Sequence, residues 1–316
     1  MTALAVSVAE PEASMDAVLP LSLRDAERAS ILLESLAARF SGLGTLWVVC
    51  PDRELGAVDR ALKQVSPALP VQFLGEASLV PELSLTPWLN GWYRQQLVKL
   101  AIFERVSSPL YLTLDADVIC TKRVTPGLLA PGGLAPCHVI ARDLHPDWYR
   151  GSEAVLGLAA RRRGVSHNVT PAVLHRDAVA ELARYLDRKA GILAFASGLR
   201  GVKQRVLCAR ARRNRSQSFA GWRLLLAAGT PWTEYALYYT FLEATGRFER
   251  FHAQGAECIY DVDGSFWRAD RREFGEWQPR DTTSHEGAPW FVVVQSNTRV
   301  APTLVRRKFE GTLGDV

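Results

Sequence analysis

The first third of the chain repeats one pattern: a short aliphatic run, then a longer segment with apolar residues at helical spacing. The aliphatic runs are residues 17–21, 46–50, 71–74 and 110–114, and the helical segments are 23–40, 55–65 and 92–106. Pro51-Asp52 closes the second run, and Ser107-Ser108-Pro109 closes the third helical segment. Strands joined through helices over short connections must run parallel, and such crossovers are right-handed. The expected fold class is therefore α/β: a Rossmann-type α/β/α sandwich with a mainly parallel central sheet. The rest of the chain is less regular. Residues 137–141 read as a strand, residues 147–158, 172–186, 219–228 and 233–245 as helices, and 291–294 as a buried strand before a basic tail. No internal repeat or break in composition divides the sequence. The expected organisation is a flexible N-terminus over 1–15 and one domain over 16–316, with halves 16–120 and 121–316.

Composition narrows the ligand class. With 316 residues, 48% hydrophobic and 22% charged, the chain has the balance of a globular protein with a real core. A net charge of +5 suits a polyanionic small ligand but falls short of a nucleic-acid footprint, so no nucleic-acid partner is expected. The five cysteines are scattered without CxxC spacing and read as buried thiols in a reducing compartment. Residues 1–15 carry Glu10 and Glu12 and lack the basic start of a signal peptide, and no apolar window approaches bilayer length. The expectation is a soluble cytoplasmic protein.

Asp115-Ala116-Asp117 follows the run 110–114 directly. Two carboxylates one residue apart at a strand's carboxyl end offer oxygen ligands to a hard divalent cation, and ligands bind outside those ends in open α/β sheets. Strand alternation would point Asp115 and Asp117 to one side, with the small Ala116 turned away. A solvated turn is the plainer reading of the same triplet. There is no GxGxxG after the first strand and no GxxxxGK[ST] anywhere, which removes the main support for a dinucleotide dehydrogenase or a P-loop NTPase.

Other polar groups gather around this motif in sequence. Arg94, Gln95, Gln96 and Lys99 lie on the helix before it, where cationic groups can screen phosphates. Pro20 and Ser22 end the first strand and Asp52 the second, although Ser22 also reads as an N-cap and Asp52 as a turn residue. Ser166-His167-Asn168-Val169-Thr170-Pro171 is a polar run able to bond hydroxyls, or a plain connection with Thr170 as N-cap and Pro171 opening a helix. Glu234, between Thr233 and Tyr235, is placed either as a partly desolvated base or as an acid favoured by a helix N-terminus. His285 is a loop histidine with ligand chemistry, and Asp261 and Asp263 before Gly264 read equally as a turn. The stretch from Arg200 to Arg215 carries seven basic residues and no acid, and reads as a solvated helix or as a contact with anionic lipid.

Gly91-Trp92-Tyr93-Arg94-Gln95-Gln96-Leu97-Val98-Lys99-Leu100, followed by Tyr111 to Val118, resembles the GT-A-fold glycosyltransferases. Within them it is most similar to a bacterial family with a Trp-Tyr-x-Gln-Gln helix ahead of a Leu-Asp-Ala-Asp motif. The resemblance is close over residues 88–119, extends to 166–171 and 232–238, and is loose elsewhere. It implies a GT-A-like fold with a nucleotide-donor half (16–120) and an acceptor half (121–316). It implies Mn²⁺ or Mg²⁺ at Asp115 and Asp117, completed by His285, bridging the diphosphate of a nucleotide-sugar donor. Pro20, Ser22 and Asp52 would meet the base and ribose; Arg94, Gln95, Lys99 and Ala116 would face the donor; His167 and Asn168 would bond sugar hydroxyls. Glu234, with Asp117, would be catalytic: a base if the reaction inverts, a positioning group if it retains. The acceptor would be a carbohydrate or lipid-linked glycan, as in bacterial surface polysaccharide or glycoconjugate synthesis, with peripheral contact at the inner face of the cell membrane through 200–215. The alternatives are a nucleotidyltransferase acting on a sugar phosphate, against which the lack of glycine in 20–24 counts, and a non-catalytic nucleotide-sugar-binding module.

Overall fold

The computed structural model describes residues 14–63, 65, 68–140, 144–161, 164–167, 170–193, 199–213, 219–228, 231–253, 259, 264–267, 273–279 and 290–313. Strand and helix alternate as β1 (Met15–Pro20), α1 (Ala26–Arg39), β2 (Leu43–Cys50), α2 (Leu55–Leu62), β3 (Val71–Gly75), α3 (Gly91–Ala101) and β4 (Leu110–Thr113). There follow β5 (Val118–Cys120), α4 (Pro146–Leu156), β6 (Ala172–His175), α5 (Arg176–Leu193), α6 (Leu199–Arg213), α7 (Gly221–Ala227), α8 (Glu234–Ala244), β7 (Phe291–Val293) and α9 (Pro302–Lys308). The central sheet has the order β3-β2-β1-β4-β6, parallel throughout except that β6 runs antiparallel to β4. This is the mainly parallel α/β sheet that the alternation requires.

Both faces of the sheet are covered, and the pleat sorts the side chains. Val18, Val49, Tyr111 and Leu174 point into a cluster with Leu97 of α3, Leu182 of α5 and Leu237 of α8. Their neighbours Ala17, Leu19, Val48, Leu112 and Val173 point into the opposite cluster with Leu32 and Leu36 of α1 and Val58 of α2. Strands buried on both sides read as unbroken aliphatic runs, which is why β1, β2 and β4 were legible.

The expected helix over 172–186 needs correction. Its first residues form β6, in which Ala172, Val173 and Leu174 pair with Thr113, Leu112 and Tyr111, and the helix starts at Arg176. Burial beside β4 outweighs the helical spacing of four residues, and Pro171 precedes a strand rather than opening a helix. In place of a strand at 137–141, Ala135–Pro136 pairs with His252–Ala253, and Ile140 makes a single bridge to Ser166. The segment expected as a helix to residue 106 is α-helical only to Ala101 and tightens into a 3₁₀ turn, Ile102–Glu104. Among the described cysteines, Cys50, Cys120 and Cys137 are buried, Cys208 is half-buried, and all four are free thiols. No described helix is long and apolar enough to cross a membrane.

The edge of the sheet opposite the candidate site is tied by one buried carboxylate. Asp16 accepts from Thr45 N at 2.7 Å, from Ser107 N at 2.6 Å and from Ser107 Oγ at 3.1 Å, joining the entries to β2 and β4. A Cβ at Gly44 would stand 2.5 Å from Asp16 Oδ1, so this contact requires glycine there.

A second buried polar link holds the Ala135–His252 pairing. His252 Nδ1 donates to the Ala135 carbonyl at 3.0 Å, leaving Nε2 to accept from the Tyr238 hydroxyl at 2.8 Å. Burial, opposed by the Ala135 bond, pushes the His252 imidazole down to about 3. The folded state keeps it neutral while the unfolded chain protonates below about 6.5, so stability from this group is full above that pH and lost as pH falls towards 3. The expected loss is about 1.5 kcal/mol between pH 6.5 and pH 5. Denaturant melts of His252→Gln at the two pH values should show a loss smaller by that amount than the parent's; equal losses would remove His252 as the cause.

Candidate active site

A cleft of about 210 Å³ opens beyond the carboxyl end of β4. The chain winds outward from β1 to β3, and α3 returns it to the other side of β1, so the strand order reverses between β1 and β4. Such a reversal splays the flanking connections apart and leaves a crevice at the strand ends.

Asp115-Ala116-Asp117 forms the tight connection from β4 to β5, closed by a bond from Val118 N to Asp115 O at 3.2 Å. The two carboxylates face one cleft through this turn, not through strand alternation. Ala116 packs against the core beneath. The C-terminal segment fixes the turn from the far side: β7 pairs antiparallel with β5, Val294 N donates to Asp117 O at 3.0 Å, and Ser296 N donates to Asp117 Oδ2 at 2.8 Å.

Lys99 organises the floor. Its side chain is 2% exposed, with Nζ 2.8 Å from Asp115 Oδ1 and 3.0 Å from Glu234 Oε1. The ammonium also stands 5.5 Å from the centroid of the Tyr235 ring. A buried ammonium is costly unless paired. Burial works against its charge, but Asp115 and then Glu234 outweigh it and hold Lys99 well above its ordinary range. Burial raises the Glu234 carboxyl against the pull of Lys99. Burial and then the Asp115 charge push Asp117 up to about 6.

The start of α8 is tied to α3 and to the sheet. Thr233 caps the helix by accepting from Ala236 N at 3.1 Å, and Glu234 N donates to Gln96 Oε1 at 3.2 Å. The Tyr235 hydroxyl lies 2.7 Å from Thr113 Oγ1 and 3.1 Å from Thr170 Oγ1. On the other side, α4 rests directly on the Pro231-Trp232 turn, where a Cβ on Gly151 would come 1.4 Å from the Pro231 carbonyl oxygen. Only glycine permits that approach, which sets His145 and Trp148 at the cleft mouth.

The expected site residues divide between two cavities. Trp92, Gln96 and Lys99, at i, i+4 and i+7 on α3, line the acidic cleft. Gly91, Arg94 and Gln95 face a second cavity of about 750 Å³, shared with Ser22 and Asp52. Arg94 is bound by its Nε to Glu76 Oε2 at 2.9 Å and by its terminal nitrogen to the same oxygen. Asp52 Oδ2 accepts from Ala77 N at 3.1 Å, and Ser22 Oγ donates to Asp25 Oδ2 at 2.7 Å without capping a helix amide. Pro20 is the buried last residue of β1. His167 lies in the core, stacked on Tyr239 at 4.7 Å and 3.1 Å from the Tyr149 hydroxyl through Nδ1. Asn168 and His285, like Asp261 and Asp263, lie outside the described residues. Sequence reading missed Thr170, His145, Trp148 and Gln295 as cleft residues; only the polar run 166–171 signalled one of them.

With all four groups ionised, three carboxylates (−3) and Lys99 (+1) leave the floor at −2. Asp115 and Asp117 supply oxygen donors in one cleft, and their mutual repulsion is what a hard divalent cation would relieve, so the donor set fits such an ion. Among the described residues no group of three or more His, Cys, Asp or Glu is arranged around a metal position.

Fold and site together define an α/β protein with an acidic cleft at a sheet switch point. The chain belongs to DUF6492, a family of unknown function whose model matches residues 12–313. No curated protein matches it. Similar solved structures include apo mouse xyloside xylosyltransferase 1, at 13% identity over 91% of this chain and 99% of that chain with a TM-score of 0.47. The galactosyltransferase LgtC in complex with donor and acceptor sugar analogs is similar at 12% identity, over 96% and 97%, with a TM-score of 0.39. The apo bifunctional glycosyltransferase WbbM is similar at 12% identity with a TM-score of 0.41, over 91% of this chain and 46% of that one. This chain thus spans less than half the length of the WbbM chain.

Replacing Lys99 tests the floor. Lys99→Met leaves Glu234 buried without its cation and is expected to lower stability by about 3–5 kcal/mol. Lys99→Met/Glu234→Leu should recover part of that loss in denaturant unfolding; an unchanged single variant would show the bridge to be dispensable.

Proposed function

We propose that the chain is a metal-dependent glycosyltransferase that moves a sugar from a nucleotide-sugar donor to a hydroxyl acceptor. The observation that carries this reading is the convergence of Asp115, Asp117, Lys99 and Glu234 on one cleft at the switch point of the sheet. Asp115 and Asp117 would hold Mn²⁺ or Mg²⁺, and such an ion, when bound, neutralises charge on a leaving diphosphate. The second cavity lies across α3 from this floor and has the size and polar edges for a nucleoside, with Ser22, Asp52 and Gln95 as contacts. Glu234 is the candidate to take the proton of the acceptor hydroxyl. Its burial raises its proton affinity, and Lys99 opposes that rise and holds the carboxylate in place. Arg94, neutralised by Glu76, would serve to shape the nucleoside cavity rather than to meet phosphate.

Thermal-shift screening of nucleoside diphosphates and their sugar conjugates with Mn²⁺ tests the donor half of the proposal. Asp117→Asn should abolish the metal-dependent shift and turnover while leaving the unliganded melt close to the parent's. Glu234→Gln should keep the shift and lose turnover by about 10²-fold or more. Undiminished transfer by Asp117→Asn would end the reading.

The same reading takes a carbohydrate or lipid-linked glycan as acceptor in bacterial surface polysaccharide or glycoconjugate synthesis, with peripheral contact at the inner face of the cell membrane. Supporting it, α6 exposes Lys203, Arg205, Arg210, Arg212 and Arg213 beside exposed Val202 and Val206. Anionic vesicles should co-float with the parent and not with Arg205→Glu/Arg210→Glu/Arg213→Glu; equal flotation would remove the membrane contact.

A further inference from the structure

We propose that the aromatic wall at the mouth of the cleft is the acceptor subsite and that it binds the C–H face of a pyranose ring. The proposal rests on the transferase reading of the same cleft and adds the class of acceptor it takes. Trp92 of α3 and Trp148 of α4 stand with ring centroids 5.3 Å apart, and His145 stacks on Trp148 at 3.8 Å. All three line the cleft that holds Asp115 and Glu234.

The wall is mounted rigidly. Trp92 meets Tyr93 edge-on at 4.9 Å, and Tyr93 lies 6.1 Å from Trp232, which is fully buried immediately before Thr233 and Glu234. The seat of Gly151 on the Pro231 carbonyl fixes α4 against the same turn. The Trp92 and Trp148 sides of the wall thus both bear on the Pro231–Trp232 turn that leads into Glu234.

Trp92 keeps 39% of its surface exposed, beside a floor of net charge −2. An indole left open to water gains by covering its face. The occupant therefore needs one apolar face for the rings and an edge of hydroxyls for Glu234, Thr170 and Gln295. A pyranose has both: its axial C–H bonds form an apolar face and its equatorial hydroxyls a polar rim. An acyl chain would leave the floor unsolvated, and an anionic acceptor would be repelled by it. A nucleobase has the larger cavity on the other side of α3.

Saturation-transfer NMR on the full chain with methyl β-D-glucopyranoside, methyl β-D-galactopyranoside and methyl α-D-mannopyranoside tests this without turnover. Transfer to ring C–H protons is expected for at least one glycoside. Trp92→Ala and Trp148→Ala should each weaken its binding by about 10-fold. Trp148→Phe, which keeps a ring, should recover most of it. Trp88→Ala, which removes a 58% exposed indole not among the residues lining this cleft, should bind like the parent. The proposal is overturned by transfer to none of the glycosides, by undiminished binding in both alanine variants, by equal loss in Trp88→Ala, or by competitive displacement with uridine or adenosine. Sugar binding that follows these rings in a protein shown to lack transfer activity would sink the transferase reading and leave the platform standing.

Discussion

Lys99 is the interaction on which the site depends. One ammonium, almost fully removed from water, is shared between Asp115 on the β4–β5 turn and Glu234 at the head of α8. Without it, Glu234 would be buried with no counter-charge and with Asp115 beside it. With it, α3, the turn and α8 are joined at a single point. Asp117 lies outside that bridge: burial, and then the charge of Asp115, drive it up to about 6 against the Ser296 amide and the more distant Arg28.

Helix α3 divides the ligand space. Its stripe of Trp92, Gln96 and Lys99 faces the acidic cleft, and Gly91, Arg94 and Gln95 face the larger cavity over the ends of β1 and β2. Arg94 and Lys99 are five residues apart, so they lie about 140° apart around the helix and cannot serve one phosphate group together. This geometry reassigns the basic helix. One cation is consumed by Glu76 at the larger cavity and the other by Asp115 and Glu234 at the floor. Neither basic group is left to face the acidic cleft unpaired.

The parts of this arrangement visible in the sequence were those with local signatures. β1, β2 and β4 are buried on both faces and read as aliphatic runs, and α3 and α8 carry their own apolar spacing. The acidic triplet could be placed because it follows such a run. The missing parts depend on contacts distant in sequence. β6 is four residues whose strand character exists only beside β4, so helical spacing misled the reading there. His167 looked like a pocket residue because polar residues flank it, yet Tyr149 and Tyr239 bury it. Gln295 enters the cleft only because β7 pairs with β5 across more than 170 residues of chain, and nothing local marks it. Gly151 carried a faint signal, a glycine inside a helical pattern, whose meaning needs the Pro231 carbonyl against it.

The proton chemistry and the leaving-group chemistry of the proposed reaction fall on different elements, yet they are not independent. Asp117 is held by the C-terminal segment and Glu234 by the start of α8, and Lys99 through Asp115 is the covalently unlinked tie between them. Asp115 and Glu234 share one buried ammonium as counter-ion, so a change of charge at Asp115 would act on Glu234 through Lys99.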